Sequence, residues 1–208
     1  MVSFLEEAIK IAKNKEYELI WKWPDIAHDN LIKGLFKVKG ILNKLNYELD
    51  IMSPHFNGKY APYSCNITNS ESVNAMVQKG YNLITLSVEL SKEDYKDLME
   101  NIKNPEKIEV YSHGNIELMK SRYLLFNSAE ICDKKGKKYP VYKNLSSEEL
   151  IILNHEDYSI LDEIEYLKTL NITNFSIDGR WKDIEFAKTI DLDLNKKYSS
   201  QKFTQGNY

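Results

Sequence analysis

The chain has 208 residues, 42% of them hydrophobic and 28% charged, with a formal net charge of −3. Those proportions are ordinary for a soluble globular protein and exclude a collagenous or disordered chain. One domain of this length buries roughly 70% of its unfolded surface without a disulfide or metal staple.

In chain order, residues 3–15 read as a helix, with Phe4, Leu5, Ala8, Ile11 and Ala12 on one stripe. Tyr17 to Trp23 is a strand stopped by Pro24, and His28 to Leu45 is a second helix. Tyr47 to Met52 is a strand, 53–62 a loop, and Tyr63 to Ile67 a short strand. Asn69 or Ser70 caps a helix running to Lys79, with Gly80 at its C-terminal end. Leu83 to Val88 is a buried strand, and Ser91 with Asp94 forms a capping arrangement for a helix over 92–102. Ile108 to Ser112 is the next strand, and 121–145 reads as an irregular hairpin insertion. Leu150 to Leu153 resumes the strand series, His155 to Leu170 is a helix, and Phe175 to Ile177 a strand. A helix starts near Lys182, and 195–208 is a loosely organised tail.

Strand–helix repeats of this spacing predict parallel βαβ units in a single domain over 1–208. Six or seven strands fit either a (β/α) barrel short of a unit or two, or an open doubly wound sheet. No G-x-G-x-x-G follows the first strand and no P-loop is present, so a nucleotide-binding sheet has no support.

Cys65 and Cys132 are too few for a disulfide framework or a four-thiolate metal site. The acidic N-terminus does not read as a signal peptide, and no apolar run approaches the ~20 residues of a membrane span. The expected location is the cytoplasm. The net negative charge argues against a duplex-DNA binder. Lys134, Lys135, Lys137 and Lys138 around Gly136 leave room for an RNA contact, against the plainer reading of a solvated hairpin tip.

Ligands of parallel α/β folds bind beyond the C-terminal strand ends. Polar groups recur there, from Asp25, Ser53 and His55 to Asn154 and His155. His113, closing one strand, can act as acid, base or ligand, or bond to local backbone. Glu89 can serve as a base or simply begin a helix. Asn66 and Asn69 stand at a strand-to-helix turn, where capping competes with ligand binding. In Asp178-Gly179-Arg180, the arginine can clamp a carboxylate or phosphate; the competing reading is an internal Asp–Arg pair ordering the turn. His113 and Arg180 are expected on one side of the sheet, within reach of one small anionic ligand.

Several segments, in order, resemble peptidase family U32, the collagenase-like proteins. They are Asn66-Ile67-Thr68-Asn69-Ser70, Ser87-Val88-Glu89-Leu90-Ser91, and Glu109-Val110-Tyr111-Ser112-His113-Gly114 with Leu118-Met119. Asp133-Lys134-Lys135-Gly136 with Tyr139-Pro140-Val141, and Ile177-Asp178-Gly179-Arg180, follow. The resemblance implies an incomplete barrel-like α/β fold, and a hydrolase that cleaves peptides. Glu89 or His113 would activate water, while Asn66, Asn69, Asp178 and Arg180 bind substrate. Some members of the family carry an iron–sulfur cluster and are linked to hydroxylation of RNA bases or ubiquinone precursors. The cluster cysteines have no match here, so no cofactor and no metal are expected. The family's opening strand units also have no match, and residues 1–15 read as a replacement helix or a truncated start. The alternative function is a non-catalytic binding module, self-associating or paired with a second barrel chain because its sheet edges are uncovered.

Overall fold

The computed structural model describes residues 2–26, 28–45, 50–53, 58–123, 127–144, 149–182, 185–186 and 203–204. Its centre is a parallel sheet curled into a half-barrel, built from β1 (Ile20–Lys22), β2 (Asp50–Met52), β3 (Tyr60–Ala61), β4 (Leu83–Thr85), β5 (Ile108–Gly114) and β11 (Asn174–Ile177). Each strand pairs in parallel with the next in that order. Helix α1 (Val2–Lys15) precedes β1, and α2 (Asp29–Lys44), α3 (Ser70–Gln78), α4 (Lys92–Glu100) and α5 (Ile164–Thr169) precede β2, β4, β5 and β11 as crossovers of the parallel sheet. The expectation of an incomplete (β/α) barrel is met.

The core lies between sheet and helices. Ile84, Leu86, Ile108 and Val110 meet Val73, Tyr95, Leu98, Leu167 and Ile172 in one buried cluster. Local signals place the helices against it. The Asn69 side chain accepts a hydrogen bond from the Ser72 amide at 2.8 Å and starts α3. Gly80, at φ +90°, ends α3 in the left-handed conformation. Ser91 and Asp94 form a reciprocal capping box on α4.

Four sequence expectations are corrected. The strand expected over 63–67 is instead a 3₁₀ turn at Tyr63–Cys65, with β3 just before it. Pro62 offers no amide to continue a ladder, and Asn66 turns left-handed at φ 50°. The insertion is larger than a hairpin over 121–145. Strands β6 (Glu117–Ser121), β7 (Glu130–Cys132), β8 (Lys138–Asn144) and β9 (Glu149–Leu153) form a separate antiparallel sheet in the order β6-β9-β8-β7. It has its own small core of Val141, Leu150 and Ile152. Leu150–Leu153 therefore does not resume the parallel series; it pairs antiparallel with β6 and β8. The helix expected over 155–170 is short. Residues Asp157–Ser159 form β10, antiparallel to the end of β5, and only Ile164–Thr169 is α-helical. Tyr158 and Ile160, both buried and two apart, fit strand alternation, while Tyr158 also stands at helical spacing from Leu161; the β5 edge decides between them.

Phe203–Thr204 forms β12, parallel to β10. The rest of the expected tail over 195–208, His55, and most of the helix expected from Lys182 lie outside the described residues.

Candidate functional site

Parallel strands deliver their C-terminal ends to one mouth. Inward-facing positions of β4 and β5 bring Thr85, Glu109 and Tyr111 there, while Lys22 ends β1 and Asp178 and Arg180 follow β11. Together they line an open cavity of about 180 Å³. A second cavity of about 480 Å³ lies beside it against the inserted sheet, lined by Asp25, Asn66, Ser87, Glu89, Glu117 and Lys120. Tyr63 lines both.

A chain of ion pairs separates the cavities. Asp25 pairs with Lys120, Lys120 with Glu117 at 2.6 Å, and Glu117 with Arg180 at 3.0 Å. Arg180 in turn holds Asp178 through Nε at 2.9 and 3.0 Å and Nη2 at 2.6 Å. Glu117 and Lys120 belong to β6, so these contacts fasten the inserted sheet to the barrel mouth. The Glu117 side chain is only 4% exposed.

The charges set the protonation behaviour. Burial alone would raise the Asp25 carboxyl, but Lys22 and Lys120 outweigh it and hold Asp25 below the usual range. Burial also opposes ionisation of Asp178, and the hydrogen bonds and charge of Arg180 overcome it, again lowering the carboxyl. Lys22 is lowered, first by burial and then by the neighbouring Arg180. Glu109 is raised by burial, against a 2.6 Å hydrogen bond from Thr85 Oγ1. Tyr111 is raised by burial and by Asp178; its hydroxyl donates to the Asn115 carbonyl at 3.0 Å.

The Glu109 shift has a sign that can be measured. A carboxyl whose folded value exceeds its unfolded one binds its proton more tightly when folded. Stability therefore falls as pH rises from the ordinary glutamate value of about 4.3 through the raised folded value. Glu109→Gln is expected to flatten that part of the melting-temperature profile; an unchanged slope would show that Glu109 is not the titrating group.

The sequence-predicted residues divide. Asp178 and Arg180 line the smaller cavity, and Asn66 and Glu89 the larger. Ser87 donates to the Asn66 side chain at 2.7 Å, bracing the left-handed turn. The internal Asp178–Arg180 pair is present, so much of the guanidinium fork is engaged by the chain itself. Asn69 is exposed at the start of α3, where it caps the helix. Asn69→Ala is expected to lower stability by about 1 kcal/mol in urea unfolding.

His113 is buried, stacked on Phe186 with ring centroids 5.4 Å apart, and lines neither cavity. Burial lowers its imidazole, with Lys182 adding to the effect and Asp157 opposing it. His113 and Arg180 thus do not share either of these two cavities, although the Asp178 amide donates to the His113 carbonyl at 2.8 Å.

Lys22, Glu109, Tyr111, Glu117 and Lys120 were not singled out from the sequence. The available signal was the spacing of Glu109 and Tyr111, two apart on one strand and so on one face. At the hairpin tip, Lys138 pairs with Glu130, and Lys137 Nζ lies 3.0 Å from His155 Nε2. Among the described residues, no group of three or more His, Cys, Asp or Glu is placed to hold a metal ion. The thiols do not fit an iron–sulfur cubane, which takes four. Cys65 is half-buried, its thiol pushed up to about 11 by burial, and Cys132 is exposed on β7. Among the described residues, no helix is long and apolar enough to cross a membrane.

The family model described as peptidase family U32 matches residues 15–192, most of the chain. The chain belongs to that family. No curated protein and no solved structure matches it.

Proposed function

We propose that this U32-family domain is a peptidase-type hydrolase that recognises a short peptide by its terminal carboxylate. The observation that carries the reading is the pair of adjoining cavities at the barrel mouth. The smaller, with Lys22 and Arg180 in its wall, draws the carboxylate; the larger, with Asn66 and Glu89, accommodates the chain. Glu109, whose carboxyl is raised by burial and so is a stronger base than an exposed glutamate, activates water. Water gives its proton to the carboxylate and attacks the peptide carbonyl, and that proton leaves with the amine. Glu89 is the competing base, from the other cavity. His113 positions the end of β5.

Hydrolysis of a mixed peptide library, followed by mass spectrometry, tests this. Glu109→Gln is expected to reduce turnover by about 10²–10⁴-fold. Loss confined to Glu89→Gln would move the base to the larger cavity, and no cleavage by the wild type would refute the hydrolase.

The second reading is a non-catalytic barrel subunit that binds peptide or a small anion. It is favoured by Arg180, already engaged by Asp178 and Glu117, and by β1, which pairs only with β2 among the described residues. Ile20 on that strand and Phe36 on α2 are exposed, at 37% and 55%. This reading expects dimers or a barrel partner by light scattering, with peptide bound and uncleaved.

A further inference from the structure

Lys22 differs from the other cations of the barrel mouth. Arg180 holds Asp178 and Glu117, and Lys120 holds Glu117 and Asp25. Among the described residues no carboxylate pairs with Lys22. Its Nζ lies 5.7 Å above the centre of the Tyr63 ring, in the wall of the 180 Å³ cavity. The nearby acids make their close ion pairs with other cations, while Arg180 lines the same cavity.

Burial beside a second cation is one way a protein makes a lysine amine nucleophilic, because the charged form loses both hydration and Coulomb support. Lys22 is lowered first by burial and then by Arg180, which together outweigh the opposing charges of Asp25 and Glu117. Glu109 lines the same cavity and can relay a proton from the attacking amine to the leaving hydroxyl.

We propose that Lys22 is an imine-forming amine that captures the carbonyl carbon of a small 2-oxo acid in this cavity. The nitrogen lone pair attacks the carbonyl carbon, and the carbonyl oxygen takes a proton to give a carbinolamine. The hydroxyl then leaves as water with a proton from Glu109, a carbon–nitrogen double bond forms, and the proton remaining on nitrogen passes to the Glu109 carboxylate. The two hydrogens lost by the neutral amine balance those in the water, so no oxidant or reductant is needed. The carboxylate of the ligand is drawn to Arg180. The volume suits such a molecule better than a peptide chain. The inference rests on the carboxylate preference of the cavity and not on hydrolysis.

The test is reductive trapping. The full chain is incubated at mildly alkaline pH with pyruvate and cyanoborohydride, digested, and the modified lysines are quantified by mass spectrometry. Lys22 is expected to label several-fold faster than the exposed Lys33 and Lys96, with that fast phase lost in Lys22→Arg and slowed in Glu109→Gln. Acetaldehyde, which lacks the carboxylate, is expected to show no preference for Lys22. Equal labelling of Lys22 and the surface lysines by pyruvate would overturn the proposal. Preference for Lys22 with both reagents would overturn the 2-oxo acid as its ligand. Peptide binding and cleavage are measured on the same preparation without reductant, so imine formation and the peptidase reading fail separately.

Discussion

Gly114→Ala is expected to destabilise the protein by about 3 kcal/mol and to disorder the barrel mouth at the same time. Gly114 closes β5 at φ +138°, a conformation that L side chains rarely adopt. A Cβ there would stand 2.6 Å from the Tyr111 hydroxyl and 2.7 Å from both the Cβ and the carbonyl oxygen of Asp178. The backbone oxygen cannot rotate away, so the Asp178 segment must move. Arg180 is hydrogen-bonded to Asp178 and would move with it. Chemical denaturation should show the loss in stability, and a carboxylate titration should show weakened binding under conditions where the variant remains folded. A variant with wild-type stability would mean that β5 and the turn after β11 approach less closely than described.

The second large effect is expected at Glu117. It sits between Lys120 and Arg180 and is the least exposed member of the ion-pair chain. Removing one partner of a buried pair costs roughly 3–5 kcal/mol when the other charge is left uncompensated. Here Lys120 keeps Asp25, Arg180 keeps Asp178, and Arg180 is partly exposed. The expected cost of Glu117→Gln is therefore about 2–3 kcal/mol. For a chain of this size that lowers the melting temperature by roughly 4–12 °C. Because β6 loses one of its two ion-pair ties to the barrel among the described residues and keeps only Lys120–Asp25, hydrogen exchange should rise in the inserted sheet before it rises in β4 and β5. Lys138→Ala, which breaks an exposed pair with Glu130, is the control and should change stability by less than about 1 kcal/mol. The pH dependence follows from Asp25 and Asp178. Both are lowered on folding, so their contribution is complete above the ordinary aspartate value of about 3.9 and is lost as pH falls through the folded values.

The sequence disclosed what is local. Asn69 and Gly80 bracket α3, and Ser91 with Asp94 starts α4, because caps bond within a few residues. The parallel series through β4, β5 and β11 was legible because each strand is apolar and short. The insertion was not, because β6 and β9 are separated by the whole hairpin and their pairing leaves no local mark. Tyr158 illustrates the ambiguity of a buried aromatic between two periodicities, settled by the free end of β5. At the site, Asp178 and Arg180 stood out because they flank a glycine. Lys22 and Glu109 did not, since their meeting depends on the curl of the sheet.

In the function we propose, the smaller cavity at the barrel mouth recognises a carboxylate through Lys22 and Arg180. Calorimetric titration of one short peptide as the free acid and as the C-terminal amide tests it most directly, on the wild type and on Lys22→Met. Lys22 carries no close ion pair among the described residues but supports the Asp25 carboxylate through its charge, so the variant is titrated below its own measured melting transition. The acid is expected to bind, the amide to bind at least tenfold more weakly, a difference of about 1.4 kcal/mol, and Lys22→Met to remove the preference. Equal affinity for acid and amide, or an undiminished preference in Lys22→Met, would contradict it.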